Sequence, residues 1–180
     1  MRGITILGVV LTLLAFEGSL WGDMLAPTMP GESRSLLAPG QPAPTFIALD
    51  SEGTTITLQD YQGRPVIINF WATWCAPCRQ EMLVLQKVYE AHKASGLAIL
   101  AVSQDQQDKA ETVRTYCTAL GITFLPLLDP SGSIATHYSV IFLPSTVFVH
   151  PSGAIAAVHL GPMTQAQIER SLKTIMPQPG

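Results

Sequence analysis

Two cysteines, Cys75 and Cys78, are separated by two residues in the stretch Trp74-Cys75-Ala76-Pro77-Cys78. Thiols at this spacing close into a small disulfide ring and open it again, which makes the pair a reversible two-electron carrier. Only the thiolate attacks a disulfide, and motifs of this spacing reach thiol pKa values from about 7 down to about 3.5. The free amides and partial positive charge of a helix N-terminus favour that ionised form. Cys75 comes first at such a start and is the predicted nucleophile. Cys78 lies deeper in the helix and is the predicted resolving thiol.

Two structural readings compete with the redox one. A pair of cysteines is half of a zinc site, but zinc takes four ligands. The chain adds only Cys117 and four scattered histidines, His92, His137, His150 and His159, with no second pair at ligand spacing. A permanent structural bridge is the other reading. Closing so short a loop constrains the unfolded chain little, so such a bridge stabilises weakly.

The pair needs a strand before it and a helix after it. Residues 65–71 are a continuous apolar run, suited to a strand covered on both faces. A helix is predicted from Ala76 to Ser95, with Met82, Leu85, Val88, Tyr89 and His92 inward at helical spacing and Gly96 at its end. Thr45–Leu49 and Thr54–Leu58 flank the turn cluster Asp50-Ser51-Glu52-Gly53 and read as a hairpin. Leu58–Tyr61 reads as one helical turn. A second buried strand covers Leu97–Ser103, and a helix covers Asp108–Leu120 with Val113, Cys117 and Leu120 on one face. Cys117 therefore reads as a buried core thiol. Strand Thr123–Leu128, a turn, and a short helix to Tyr138 follow. Thr146–Val149 and Ala154–Leu160 form a second hairpin, and Thr164–Met176 a last helix with Ile168, Leu172 and Ile175 inward. Strands separated by helices and ending in a hairpin predict an α/β fold with a central mixed sheet flanked by helices.

The segment Phe70-Trp71-Ala72-Thr73-Trp74-Cys75-Ala76-Pro77-Cys78-Arg79-Gln80-Glu81 resembles the active-site segment of the TlpA/ResA-type thioredoxin-like thiol–disulfide oxidoreductases. The similarity spans residues 41–177. It implies a thioredoxin-like fold with an N-terminal hairpin and a family-type insertion of one strand and one helix. It also implies that Leu143-Pro144 is a cis bond set against the dithiol, with Leu143 offering its backbone groups to an extended substrate segment by strand addition. A trans proline opening an edge strand is the alternative. Relatives often carry an acidic residue at the position of Glu81, linked to proton transfer at the dithiol; a solvated helix carboxylate is the alternative. Ordinary thioredoxin has a buried aspartate where this chain has Asn69, which cannot titrate. Arg79 and Gln80 read as solvated surface, and Trp71 and Trp74 as packing around the dithiol, with Trp74 shielding it and meeting substrate.

The implied activity is thiol–disulfide oxidoreduction on exported proteins, apocytochrome c or copper-site cysteines by resemblance. The dithiol carries the electrons, so no cofactor is called for. A membrane thiol transporter of the DsbD/CcdA kind is the implied reductant. A peroxiredoxin-like peroxidase is one alternative, but its Pro-x-x-x-Thr-x-x-Cys spacing is missing: Thr73 is two residues before Cys75. A copper chaperone of the Sco type is another. It would need a wider cysteine spacing and a distal histidine, for which His137 or His159 could serve.

Residues 1–22 stand apart from this domain. Arg2 and the amino terminus are positive, and the 14 residues from Gly3 to Phe16 carry no charge. That is the pattern of an export signal. Extended to Gly22 the run reaches 20 residues, about 30 Å of helix, so an uncleaved membrane anchor and a cleaved signal both stay open. Positive charge at the short end places the remainder outside the cytoplasm. Residues 23–40, with Pro27, Pro30, Gly31, Pro39 and Gly40, read as a linker. The net charge of -3 gives no basic patch and argues against nucleic acid.

Overall fold

The computed structural model describes residues 37–105 and 110–176. The segment 1–22 and most of the linker therefore lie outside the described residues. None of the described helices is long and apolar enough to cross a membrane.

Seven strands form one mixed sheet: β1 (Ile47–Asp50), β2 (Thr55–Thr57), β3 (Val66–Trp71), β4 (Ala98–Ser103), β5 (Leu125–Leu128), β6 (Ser145–Val149) and β7 (Ile155–Leu160), in the order β2-β1-β5-β4-β3-β6-β7. Both apolar runs read as buried strands are central. Every residue of β3 and β4 is buried, and the two pair in parallel from Val66↔Ala98 to Trp71↔Ser103. The flanking pairs β3–β6 and β6–β7 are antiparallel. The leading hairpin is β1–β2, and β5 is the added strand, parallel to β4 and antiparallel to β1.

Helices cover the sheet because each has one apolar stripe to bury. On one face lie α1 (Ala76–His92), α2 (Ala110–Ala119) and α4 (Gln165–Leu172). Met82, Leu85 and Val88 of α1 meet Ile168 and Leu172 of α4, together with Ile67, Trp71 and Phe148 of the sheet and Ile175 beyond α4. Cys117 of α2 is buried there too. Burial pushes its thiol up to about 12. Tyr89 and His92 are only half-buried. His92 Nε2 lies 3.0 Å from Glu169 Oε2 and so links α1 to α4 at their rim. Leu120 is also half-buried rather than a core residue.

On the other face a short helix, α3 (Ser133–His137), is followed by Tyr138, whose ring packs against Phe46 and Phe70. Its hydroxyl donates to the Pro44 carbonyl at 2.6 Å. Tyr138→Phe keeps the packing and loses this bond. The expected cost is about 1 kcal/mol, seen as a lower urea midpoint with an unchanged slope.

Leu37 packs on the second core cluster, and Gly40 N–H donates to Ile155 O at 2.8 Å. Ile155 N–H returns a bond to Gln41 O. Ile155 pairs with Val149, and Val149 with Val66, so this junction sits at the start of β3. Cys75 follows the other end of that strand.

Candidate active site

Cys75 is the N-cap of α1, with extended backbone, and its sulfur accepts the Cys78 N–H at 3.3 Å. The same amide would stabilise a thiolate there. Pro77 sits in the first turn, where a missing amide costs no helical bond. The two sulfurs are joined as a disulfide. Cys75 is 6% exposed and Cys78 0%, so only the first can be approached from outside.

Asp105, just past β4, fixes the approach to the pair. It accepts the Thr73 N–H at 3.0 Å, the Thr73 hydroxyl at 2.7 Å and the Ser103 hydroxyl at 2.7 Å. Sequence reading missed this residue, because its partner is 32 positions away. The bond also bears on the peroxidase alternative, since the Thr73 hydroxyl serves Asp105.

Glu81 lies one turn beyond Cys78 in the buried stripe of α1 and is 1% exposed. It is therefore no solvated helix carboxylate. Its Oε1 accepts the Met163 N–H at 2.9 Å, and its Oε2 accepts Asn69 Nδ2 at 2.8 Å. The Thr146 hydroxyl also bonds the carboxylate, and accepts Asn69 Nδ2 at 2.9 Å. Burial outweighs these bonds and raises the carboxyl to about 7. Asn69, which cannot titrate, thus holds a group that does. Thr146 and Met163 belong to the site as well, and neither was foreseen.

The Leu143–Pro144 peptide is cis. Among the described residues, no backbone hydrogen bond engages the N–H or C=O of Leu143. Leu143 lines a groove of about 610 Å³ together with Trp74, Cys75 and Pro77. Trp71 is fully buried and stacks on Tyr116. Trp74 is 70% exposed and lines the same groove as Cys75. Arg79 and Gln80 are exposed. The histidines weighed as copper ligands lie on other elements, His137 ending α3 and His159 in β7, and no described group of three metal-ligating side chains is assembled.

Comparison with known proteins supplies the context for this geometry. The AhpC/TSA family matches residues 39–158. The thiol–disulfide oxidoreductase ResA of Bacillus thuringiensis is 36% identical over 138 residues, covering 77% of this chain and 79% of its own. The chain belongs to the ResA-type thiol–disulfide oxidoreductases. A thioredoxin-like protein of Bacillus subtilis, YneN, is 39% identical over 134 residues, 74% of this chain and 78% of its own. Among solved structures, a putative thiol:disulfide interchange protein DsbE from Chlorobium tepidum superposes with a TM-score of 0.70 at 26% identity, covering 76% of this chain and 96% of that one. A ResA-type protein is an oxidoreductase of the thioredoxin fold, and here the Cys75–Cys78 disulfide sits at a strand-to-helix junction.

Proposed function

We propose that this oxidoreductase works as a reductant of disulfides in exported proteins. Cys75 thiolate attacks a substrate disulfide, forms a mixed disulfide and releases one substrate thiolate. Cys78 passes its proton to Glu81, attacks the Cys75 sulfur, and releases the second substrate thiolate as the enzyme disulfide closes. Two electrons move from the enzyme dithiol to the substrate. Trp74 flanks the incoming segment, while Leu143 and Pro144 present backbone to it. The candidate substrates are apocytochrome c and copper-site cysteines. The dithiol is restored by a membrane thiol carrier of the DsbD/CcdA kind. The setting is the periplasm or the outer face of the cytoplasmic membrane, reached by residues 1–22 as an anchor or a cleaved signal.

The observation that carries the direction of electron flow is Glu81, buried one turn from Cys78. Disulfide carriers become strong oxidants when their reduced form is stabilised. A buried carboxylate disfavours a neighbouring thiolate and works the other way. The dithiol potential is therefore expected nearer the thioredoxin value of about -270 mV than the DsbA value of about -120 mV. Equilibration against glutathione or dithiothreitol buffers measures it. A result above roughly -170 mV, on that scale, would mark an oxidase instead.

A further inference from the structure

The loop that leads to the cis proline carries two bulky side chains that no core claims. Ile141 is 73% exposed and Phe142 61%. Together with Trp74 they form the largest exposed apolar side chains bordering the groove that holds Cys75. Their loop is anchored at both ends. At the end of α3, Ser139 takes a φ of 48°, and Ser139 N–H and Val140 N–H donate back to Thr136 O and Ala135 O. This double closure stops the helix and fixes the exit direction of the chain. Beyond Phe142, the Ser145 hydroxyl donates to Phe142 O at 2.7 Å.

The polar content of the groove is equally specific. Among the described residues no lysine or arginine lines it, and Asp129 is the only charged residue that does. Asp129 is 3% exposed and is held by Ala135 N–H at 2.9 Å and by Gln104 Nε2 at 3.3 Å. A fixed carboxylate with no cation among the described lining residues repels acidic side chains.

We propose that Ile141 and Phe142 form a selectivity rim, which makes this protein prefer substrate disulfides whose cysteine is flanked by large apolar side chains and not by acidic ones. The occupant is an extended segment of a disulfide-bearing protein, because the only reactive sulfur in the groove is Cys75. The inference rests on the disulfide-reduction reading and adds a substrate class to it. Backbone pairing at Leu143 is blind to the substrate's side chains; the rim reads them. An aromatic and a β-branched side chain, both more than half exposed, have enough apolar surface to give at least about tenfold discrimination when covered.

The test uses the reduced full chain and three probes: hydroxyethyl disulfide, and two peptides with the same internal disulfide flanked either by Phe and Leu or by Ser and Asp. Second-order reduction rates are compared. The wild type is expected to favour the apolar peptide at least about tenfold. Ile141→Ser/Phe142→Ser should bring the ratio of the two peptides close to one, with Phe142→Ser intermediate. Ile47→Ser, which removes an equally exposed apolar group from β1, should preserve the preference. A wild-type ratio near one, or a double variant that keeps the preference, overturns the proposal. So does a double variant that abolishes a dimer seen by sedimentation while the ratio stays put, since the rim would then be a contact between copies. If hydroxyethyl disulfide and both peptides all go unreduced, disulfide reduction itself fails and the rim fails with it.

Discussion

Cys75→Ser is expected to reduce disulfide turnover to the rate of uncatalysed exchange, while Cys78→Ser accumulates a stable mixed disulfide with its substrate. The asymmetry follows from position. Cys75 caps α1, faces the groove and can use the Cys78 amide to hold a negative sulfur. Cys78 has no exposed surface, so a protein disulfide cannot reach it, yet it is three residues from Cys75 and can attack that sulfur from within. With serine at position 78 the first step proceeds and the second has no nucleophile. Intact-mass measurement under non-reducing conditions reads the trapped adduct directly. Cys117 does not confuse the result, because burial raises its thiol to about 12 and keeps it protonated at neutral pH. Rapid alkylation of Cys78 instead of Cys75 in the reduced protein would reverse the two roles.

Glu81→Gln is expected to change two pH profiles. The first is stability. The carboxyl titrates near 7 in the folded chain and near 4.5 when unfolded. Between those values the native state binds the extra proton, so wild-type stability falls as pH rises through this window and levels off above it. A shift of that size corresponds to about 3 kcal/mol, by the conversion of about 1.4 kcal/mol per unit. Glutamine has no such titration. Urea unfolding of the oxidised proteins should show the variant gaining on wild type by that order between pH 4.5 and pH 8.5, with nearly all of the gain in place by pH 8. Glutamine also fits the bonding: its oxygen takes the Met163 N–H, and its amide reaches Asn69 Oδ1 once that side chain turns over. That oxygen has no partner among the described residues.

The second profile is the thiol titration. A carboxylate that ionises beside the dithiol repels a thiolate, so its removal should lower the cysteine pKa values, read from thiolate absorbance. Asn69→Asp added to Glu81→Gln should partly restore a titrating neighbour. Superimposable thiol curves for wild type and Glu81→Gln would show that the carboxylate does not sense the dithiol.

Much of this site could be read before any coordinates. Glu81 and Asn69 were singled out through the resemblance to relatives, and the position of Glu81 three residues after Cys78 set it on the same helical face, the one the structure buries. What could not be read is that the two residues satisfy each other. Glu81 also needs Thr146 and Met163, the latter 82 residues away, and no periodicity encodes a pairing at that separation. The strands and helices were legible because their apolar periods are long and their glycine stops clear. The outward placement of Ile141 and Phe142 had no sequence signal of its own, since it follows the closure of α3 at Ser139. Asp105 lacked any local signature, since a single aspartate after a strand usually just begins a turn.

The pinning of Gly40 and Gln41 to Ile155 fixes where the described chain enters the domain. Those residues lie at the start of β3, and Cys75 lies past its end, about 20 Å away along a six-residue strand. The described chain therefore enters the domain at the opposite end of β3 from Cys75. A surface attached through the loops around Trp74 would instead cover the groove that holds that sulfur.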